Sequence, residues 1–158
     1  MASEIQTEIE SLLPHRDPFL FVDDIEEFEA GARIVTRWDV KADMDVFRGH
    51  YPGEPILPGV LISEFAFQSG AILLMKSGDE HWTDKPDLTP VLAGIEKARF
   101  RQIVRPGASI RAEVVLDRAM SSARYMTAKI TSDAGAVARI GFVLTMTPSA
   151  KSGDGDSA

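Results

Sequence analysis

The chain has 158 residues, 44% of them hydrophobic and 26% charged, the balance of a single globular domain that can bury its own core. A net charge of −7 argues against a general nucleic-acid binder and against a polybasic membrane anchor. With no cysteine, there are no disulfides, thiolate nucleophiles or Cys-ligated metal centres.

The N-terminal stretch MASEIQTEIESLL is acidic and amphipathic. A secretory signal needs a positive start and an apolar middle, so the expected compartment is the cytoplasm. Residues 4–13 read as a short helix that Ser3 can cap, with Ile5, Ile9, Leu12 and Leu13 on one face and Pro14 as its stop. The apolar run Phe19-Leu20-Phe21-Val22 then opens a predicted strand over 19–29. Gly31 marks a turn, and residues 32–40 alternate as a half-buried strand, with Ile34, Trp38 and Val40 opposite Arg33, Arg37 and Asp39.

Between 47 and 59, FRGHYPGEPILPG breaks all periodicity and reads as irregular. A buried central helix is predicted from about 58 to 75, apolar on most sides, with Pro58 in its first turn and Gly78 ending it. No uninterrupted run of about 18 apolar residues is present, so no membrane span is expected. Residues 77–89 form a polar loop carrying His81 and Trp82.

Period two then returns. One strand is predicted over 91–103. Ile110, Ala112, Val114 and Leu116 mark a second, Met126, Ala128 and Ile130 a third, and Ala138 to Met146 a fourth. Turns at Pro106-Gly107, Ser121-Ser122 and 133–135 separate them. The folded domain is expected to span 1–147, and the segment 148–158 to be a disordered tail. The pattern predicts an α+β fold, a sheet of about six antiparallel strands around one buried helix.

No GxSxG elbow, P-loop, GxGxxG or HExxH motif occurs, and His15, His50 and His81 lack ligand spacing, so no metal site is expected. The informative stretch is 47–70. His50 lies in the Gly- and Pro-rich loop, and Glu64 lies on the most apolar helix, where a carboxylate is costly unless paired, neutral or useful. Together they are the minimum equipment for general acid–base chemistry. The helix start near Gly59 offers free N–H groups that can polarise a carbonyl. Taken alone, a solvated loop histidine and a buried Glu–Arg pair remain open readings.

This stretch resembles the active-site motif of the FabZ-type (3R)-3-hydroxyacyl-[acyl-carrier-protein] dehydratases, GHFPGxPxxPGVLxxEAxAQ. The chain carries Gly49-His50-Tyr51-Pro52-Gly53-Glu54-Pro55, then Pro58-Gly59-Val60-Leu61, Glu64, Ala66 and Gln68. Leu13-Pro14-His15-Arg16 through Phe19-Leu20 resembles the family's LPHRYPFLLVD block, and Gly94-Ile95-Glu96-Lys97-Ala98-Arg99-Phe100-Arg101 resembles GIDKARFKRPV.

The resemblance implies a hotdog fold, a curved sheet wrapped around the central helix. It also implies a homodimer, often a trimer of dimers, in which His50 of one subunit faces Glu64 of its neighbour. The implied reaction is reversible dehydration of a 3-hydroxyacyl thioester to the trans-2-enoyl thioester, with His50 as base and Glu64 as proton donor. The N–H of Gly59 would polarise the thioester carbonyl, and Gln68 would orient the carboxyl group or a water. His15 is expected to make only a structural hydrogen bond. No cofactor is implied, because the substrate rides on the phosphopantetheine arm of acyl carrier protein. That partner is acidic, so the chain should present a local basic patch, for which Lys97, Arg99, Arg101 and Arg105 form the densest cluster.

The chain departs from the motif at Asp17, where tyrosine is common, and at Phe65 and Phe67, where smaller residues are usual. These positions leave chain length and pathway open. Alternative readings are a hotdog acyl thioesterase, a specialised polyketide- or polyene-type dehydratase, and a non-catalytic acyl-binding subunit.

Overall fold

A computed structural model of the chain describes residues 2–149. Helix α1 spans Glu4–Leu12, and the Ser3 hydroxyl caps it by accepting the Gln6 N–H at 3.2 Å. Strands β1 (Asp24–Glu29) and β2 (Arg33–Asp39) form a hairpin turned by Gly31, whose φ of +71° suits glycine. Helix α2 spans Gly59–Ser77 and ends at Gly78 in the left-handed conformation. Strands β3 (Leu88–Phe100), β4 (Ser109–Met120), β5 (Ala123–Ser132) and β6 (Gly135–Pro148) complete one antiparallel sheet in the order β1-β2-β4-β5-β6-β3.

The sheet packs around α2, which touches β2, β3, β4, β5 and β6. Ile34, Trp38, Ile110, Ala112, Val114, Met126, Ala128, Ile130, Ile140 and Phe142 line its inner face. Along β2, buried positions alternate with half-buried ones, as a strand with one face on a core requires. Phe65 packs on Trp38 and Phe67 on Phe142, with ring centroids 5.6 and 5.0 Å apart, so the two bulky departures from the motif fill the core. One six-stranded sheet around one long helix is the α+β hotdog arrangement that the resemblance implies.

Several boundaries differ from the sequence reading. Residues 19–22 are not a strand, because their backbone bonds to a side chain of α2 in place of a neighbouring strand: Phe21 N–H donates to Gln68 at 2.9 Å. The irregular stretch expected from 47 begins inside a single 3₁₀ turn, Asp45–Arg48. Strand β3 starts and stops three residues earlier than expected. Its early start includes Pro90, which an edge strand tolerates, and after Phe100 the N–H groups of Arg101 and Gln102 both turn to the Val137 carbonyl.

The expected tail also begins too early. Pro148 still pairs with Leu88, and Ser149 N–H donates to the Asp87 carbonyl; the remainder of the tail, 150–158, lies outside the described residues. Helix α2 is long and apolar enough to cross a membrane, with a mean hydropathy of 1.2, although the sequence reading found no such segment. Glu64 and Lys76 interrupt the apolar run without lowering its average far. Two-thirds of this apolar stretch is buried inside the protein, the situation of a core helix.

Candidate active site

The Gly- and Pro-rich loop ahead of α2 folds back on itself. Ile56 N–H donates to the His50 carbonyl at 3.0 Å, and Tyr51 and Glu54 exchange backbone hydrogen bonds. The His50–Tyr51 peptide is cis. This loop sets the imidazole of His50 with Nδ1 2.8 Å from the Ile56 carbonyl oxygen. A carbonyl can only accept, so Nδ1 carries a proton and, in the neutral ring, Nε2 keeps its lone pair.

Two residues past the loop, α2 begins. Leu61 and Ile62 N–H both donate to the Pro58 carbonyl. Among the described residues, Gly59 and Val60 N–H donate to no backbone carbonyl, as expected for the first turn of a helix. A side chain at Gly59 would press on the Phe100 ring at 3.3 Å, so glycine here lets the end of β3 close over the helix start.

Glu64 lies on the flank of α2 that faces the segment joining α1 to β1. Its Oε1 takes two contacts, Gln68 Nε2 at 3.2 Å and His15 Nε2 at 3.3 Å. Gln68 is buried and its amide orientation is fixed by the backbone. Its oxygen accepts Phe21 N–H at 2.9 Å, so its nitrogen must serve the Phe19 carbonyl at 3.0 Å and Glu64. Thus Gln68 both reaches the carboxyl group, as the resemblance implies, and satisfies a backbone segment, which it does not imply. No arginine pairs with Glu64 among the described residues, which removes the bland Glu–Arg reading.

The structure places His15 where no local sequence pattern predicts it. Expected to be purely structural, it stands against the candidate acid. Its other nitrogen, Nδ1, is buried without a partner among the described residues. Its place in the LPHR block was the available signal, but nothing in the sequence says that this loop crosses α2 at Glu64.

Within one chain the structure does not bring His50 to Glu64, and no ion pair joins them among the described residues. One edge of the sheet is apolar. Among the described residues strand β3 has no partner beyond it in the sheet, and it exposes Val91, Leu92, Ile95 and Phe100, while Val60 in the first turn of α2 is 76% exposed. Exposed apolar stripes on an open strand edge are the kind of surface that proteins cover by pairing.

The basic patch is partly as expected. Lys97, Arg99 and Arg101 line one groove of about 460 Å³ together with Arg139, Glu96, Thr127 and Gly141. The register explains this: Arg99 lies opposite Arg139, and Arg139 opposite Lys129, across β3, β6 and β5. None of these five cations makes an ion pair among the described residues, whereas Arg33, Arg37, Arg48, Arg111 and Arg124 all do. Arg105 does not line this groove; it pairs with Glu54 at 2.8 Å on the loop that carries His50. Arg139 was invisible to the sequence reading, since it is distant from 97–101 in the chain and joins them only through strand register.

Asp17 lines a second groove, of about 780 Å³, with Phe19, Phe21, Trp38 and Leu61. Among the described residues no cluster of three or more His, Asp or Glu side chains could hold a metal ion.

Residues 13–140 match the family model for the FabA-like domain. The chain is 48% identical over 111 residues to a curated 3-hydroxyacyl-[acyl-carrier-protein] dehydratase FabZ of Chloroflexus aggregans, covering 70% of this chain and 74% of that one. To the protein of the same name from Oenococcus oeni it is 43% identical over 112 residues, 71% and 77% of the two chains. To the one from Thermomicrobium roseum it is 40% identical over 137 residues, 87% and 88%. Among solved structures, the dehydratase heterocomplex ApeI:P from Xenorhabdus doucetiae aligns with a TM-score of 0.72 over 90% of this chain and 92% of that one, at 13% identity. A hypothetical thioesterase with coenzyme A from Streptococcus pneumoniae aligns with a TM-score of 0.60 over 92% and 95%, at 12% identity. At those identities the two structures speak for the fold alone.

Proposed function

Because the chain belongs to the FabA-like family, as a 3-hydroxyacyl-[acyl-carrier-protein] dehydratase of the FabZ type, we propose that His50 and Glu64 carry out its elimination across the interface of a homodimer. The observation that carries this reading is the His50 Nδ1 contact to the Ile56 carbonyl at 2.8 Å. It leaves Nε2 as a fixed lone pair, the form a general base needs.

The steps follow from the chemistry of the thioester. His50 Nε2 takes a proton from C2, and charge builds on the thioester carbonyl oxygen. The N–H of Gly59, at the positive end of the α2 dipole, stabilises that charge. The C3–O bond breaks as Glu64 gives its proton to the departing hydroxide, directly or through water. The products are the trans-2-enoyl thioester and water, and the same groups run the hydration in reverse. The elimination is redox-neutral, so these groups suffice without a cofactor. The exposed apolar residues on edge strand β3 support the dimer by offering a second copy a surface to cover, and His50 makes no ion pair with Glu64 of its own chain among the described residues.

Docking of the carrier protein is proposed at the groove of Lys97, Arg99, Arg101 and Arg139. An acidic enzyme must gather unpaired cations somewhere to attract an acidic partner, and here they concentrate on one face of β3, β6 and β5.

The deciding experiment incubates the protein with a 3-hydroxyacyl carrier protein and follows enoyl thioester and free thiol together. Reversible enoyl formation, lost in His50→Ala and Glu64→Gln, is the expected result. Free thiol without enoyl product would move the activity to a thioesterase, and unimpaired variants would remove both residues from the mechanism.

A further inference from the structure

We propose that His15 is a positioning residue for the proton donor: with Gln68 it occupies Glu64 Oε1 and so assigns the transferable proton to Oε2. The inference rests on the acid role proposed for Glu64. A protonated carboxyl has one O–H, and its other oxygen can only accept. Two nitrogens converge on Oε1, Gln68 Nε2 at 3.2 Å and His15 Nε2 at 3.3 Å. The Gln68 nitrogen is a donor by force of its backbone bonds, because its oxygen already accepts Phe21 N–H.

The tautomer of His15 follows from burial. Its Nδ1 is enclosed without an acceptor, and an orphaned buried N–H is the costlier way to leave a polar atom unpaired. In the neutral ring the proton therefore sits on Nε2, the nitrogen 3.3 Å from Glu64 Oε1. Gln68 then donates to Oε1 and the protonated His15 nitrogen lies 3.3 Å from it, so a proton on Oε1 would be crowded by both. The proton is left to Oε2, and the carboxyl plane is held at one edge.

His15 is itself fixed in place. The neighbouring Arg16 guanidinium ties the carbonyls of Glu10, Leu13 and His15, and the Phe19 ring stacks on the imidazole with centroids 6.4 Å apart. The loop between α1 and β1 thus functions as a clamp on α2 as well as a connection.

Two isosteric variants separate positioning from packing. His15→Gln can put an amide nitrogen where Nε2 stands, whereas His15→Asn places it at the Nδ1 position, away from Glu64. Both would be assayed for kcat and KM on a 3-hydroxyacyl carrier protein, with unfolding curves and Glu64→Gln alongside. Expected are a kcat within about threefold of wild type for His15→Gln and a loss on the order of 10- to 100-fold for His15→Asn, with KM unchanged in both. Equal kcat in the two variants, whether both active or both impaired, would overturn the inference. Full activity in Glu64→Gln would instead overturn the acid role on which it rests.

Discussion

The side-chain amide of Gln68 stands 3.2 Å from Oε1 of Glu64, one helical turn away on the same face of α2. Since the same amide also holds Phe21 N–H and the Phe19 carbonyl, removing it damages fold and site together. Gln68→Leu leaves the buried Phe21 N–H and the half-buried Phe19 carbonyl without their partner and should cost about 2 kcal/mol in urea unfolding, with kcat falling further than the loss of folded protein explains. A variant of wild-type stability would show that water replaces the amide, and unchanged kcat would show that Glu64 needs no such support.

Most of this site was legible because its residues are close in the chain. Spacing alone sets Glu64 and Gln68 one turn apart, and a Gly- and Pro-rich loop ahead of an apolar helix is itself a signal for a helix-start site. What the sequence did not reveal depends on long-range register. Residues 19–22 look like a strand because they are apolar, yet a side chain from α2 claims their backbone. Arg139 joins Arg99 only because β6 pairs with β3 at that register, and Arg105 does not line their groove but pairs with Glu54. His15 meets Glu64 through a loop crossing that no local pattern encodes.

Gly70 sits in the middle of α2, where glycine costs a helix about 1 kcal/mol relative to alanine. The sheet explains its presence. A Cβ there would lie 2.9 Å from Met126 Sδ and 3.0 Å from the Phe142 ring, both buried beneath the helix. The glycine lets the helix come close to β5 and β6. Gly70→Ala should therefore lower stability by about 1–2 kcal/mol despite the better helix former, because overpacking outweighs propensity. Thermal unfolding checks it, with an expected fall in Tm of roughly 2–8 °C for a domain of this size. A rise in Tm would mean that Met126 moves aside at little cost.

The loop between α2 and β3 is pinned by charge. Asp79 receives Arg124 Nε and Nη2 at 2.7 and 2.8 Å, and Arg124 also binds the carbonyls of Ser121 and Ala123. The guanidinium holds the Asp79 carboxyl below the usual carboxylate range, while partial burial opposes it. A depressed carboxyl contributes stability that is present above its unfolded value, about 3.9, and is lost as pH falls through the folded value. Asp79→Asn should destabilise the protein by about 3 kcal/mol at pH 7, since Arg124 is left buried without its carboxylate. The difference from wild type should shrink below about pH 4. Asp23 is raised, chiefly by burial, and gives the opposite slope, but it is common to both proteins and cancels in the difference. Urea unfolding across pH 3–7 measures this, and a pH-independent difference would show that the bond acts by shape rather than charge.

Arg99 and Arg139 face each other across β3 and β6 without a carboxylate partner among the described residues. If they attract the acidic carrier protein, their effect belongs to encounter and not to the chemical step. Arg99→Glu combined with Arg139→Glu should raise KM for a carrier-borne substrate by about tenfold or more at low ionic strength, with kcat unchanged. The same acyl group on a free pantetheine thioester lacks the acidic partner, so its KM should stay at the wild-type value. Salt should raise the wild-type KM for the carrier-borne substrate and narrow the gap to the variant, because the Debye length falls to about 10 Å at 0.1 M. A double variant equally impaired on both substrates would place these arginines in the fold or the substrate channel. One unimpaired on both would send the search for the docking face to another surface.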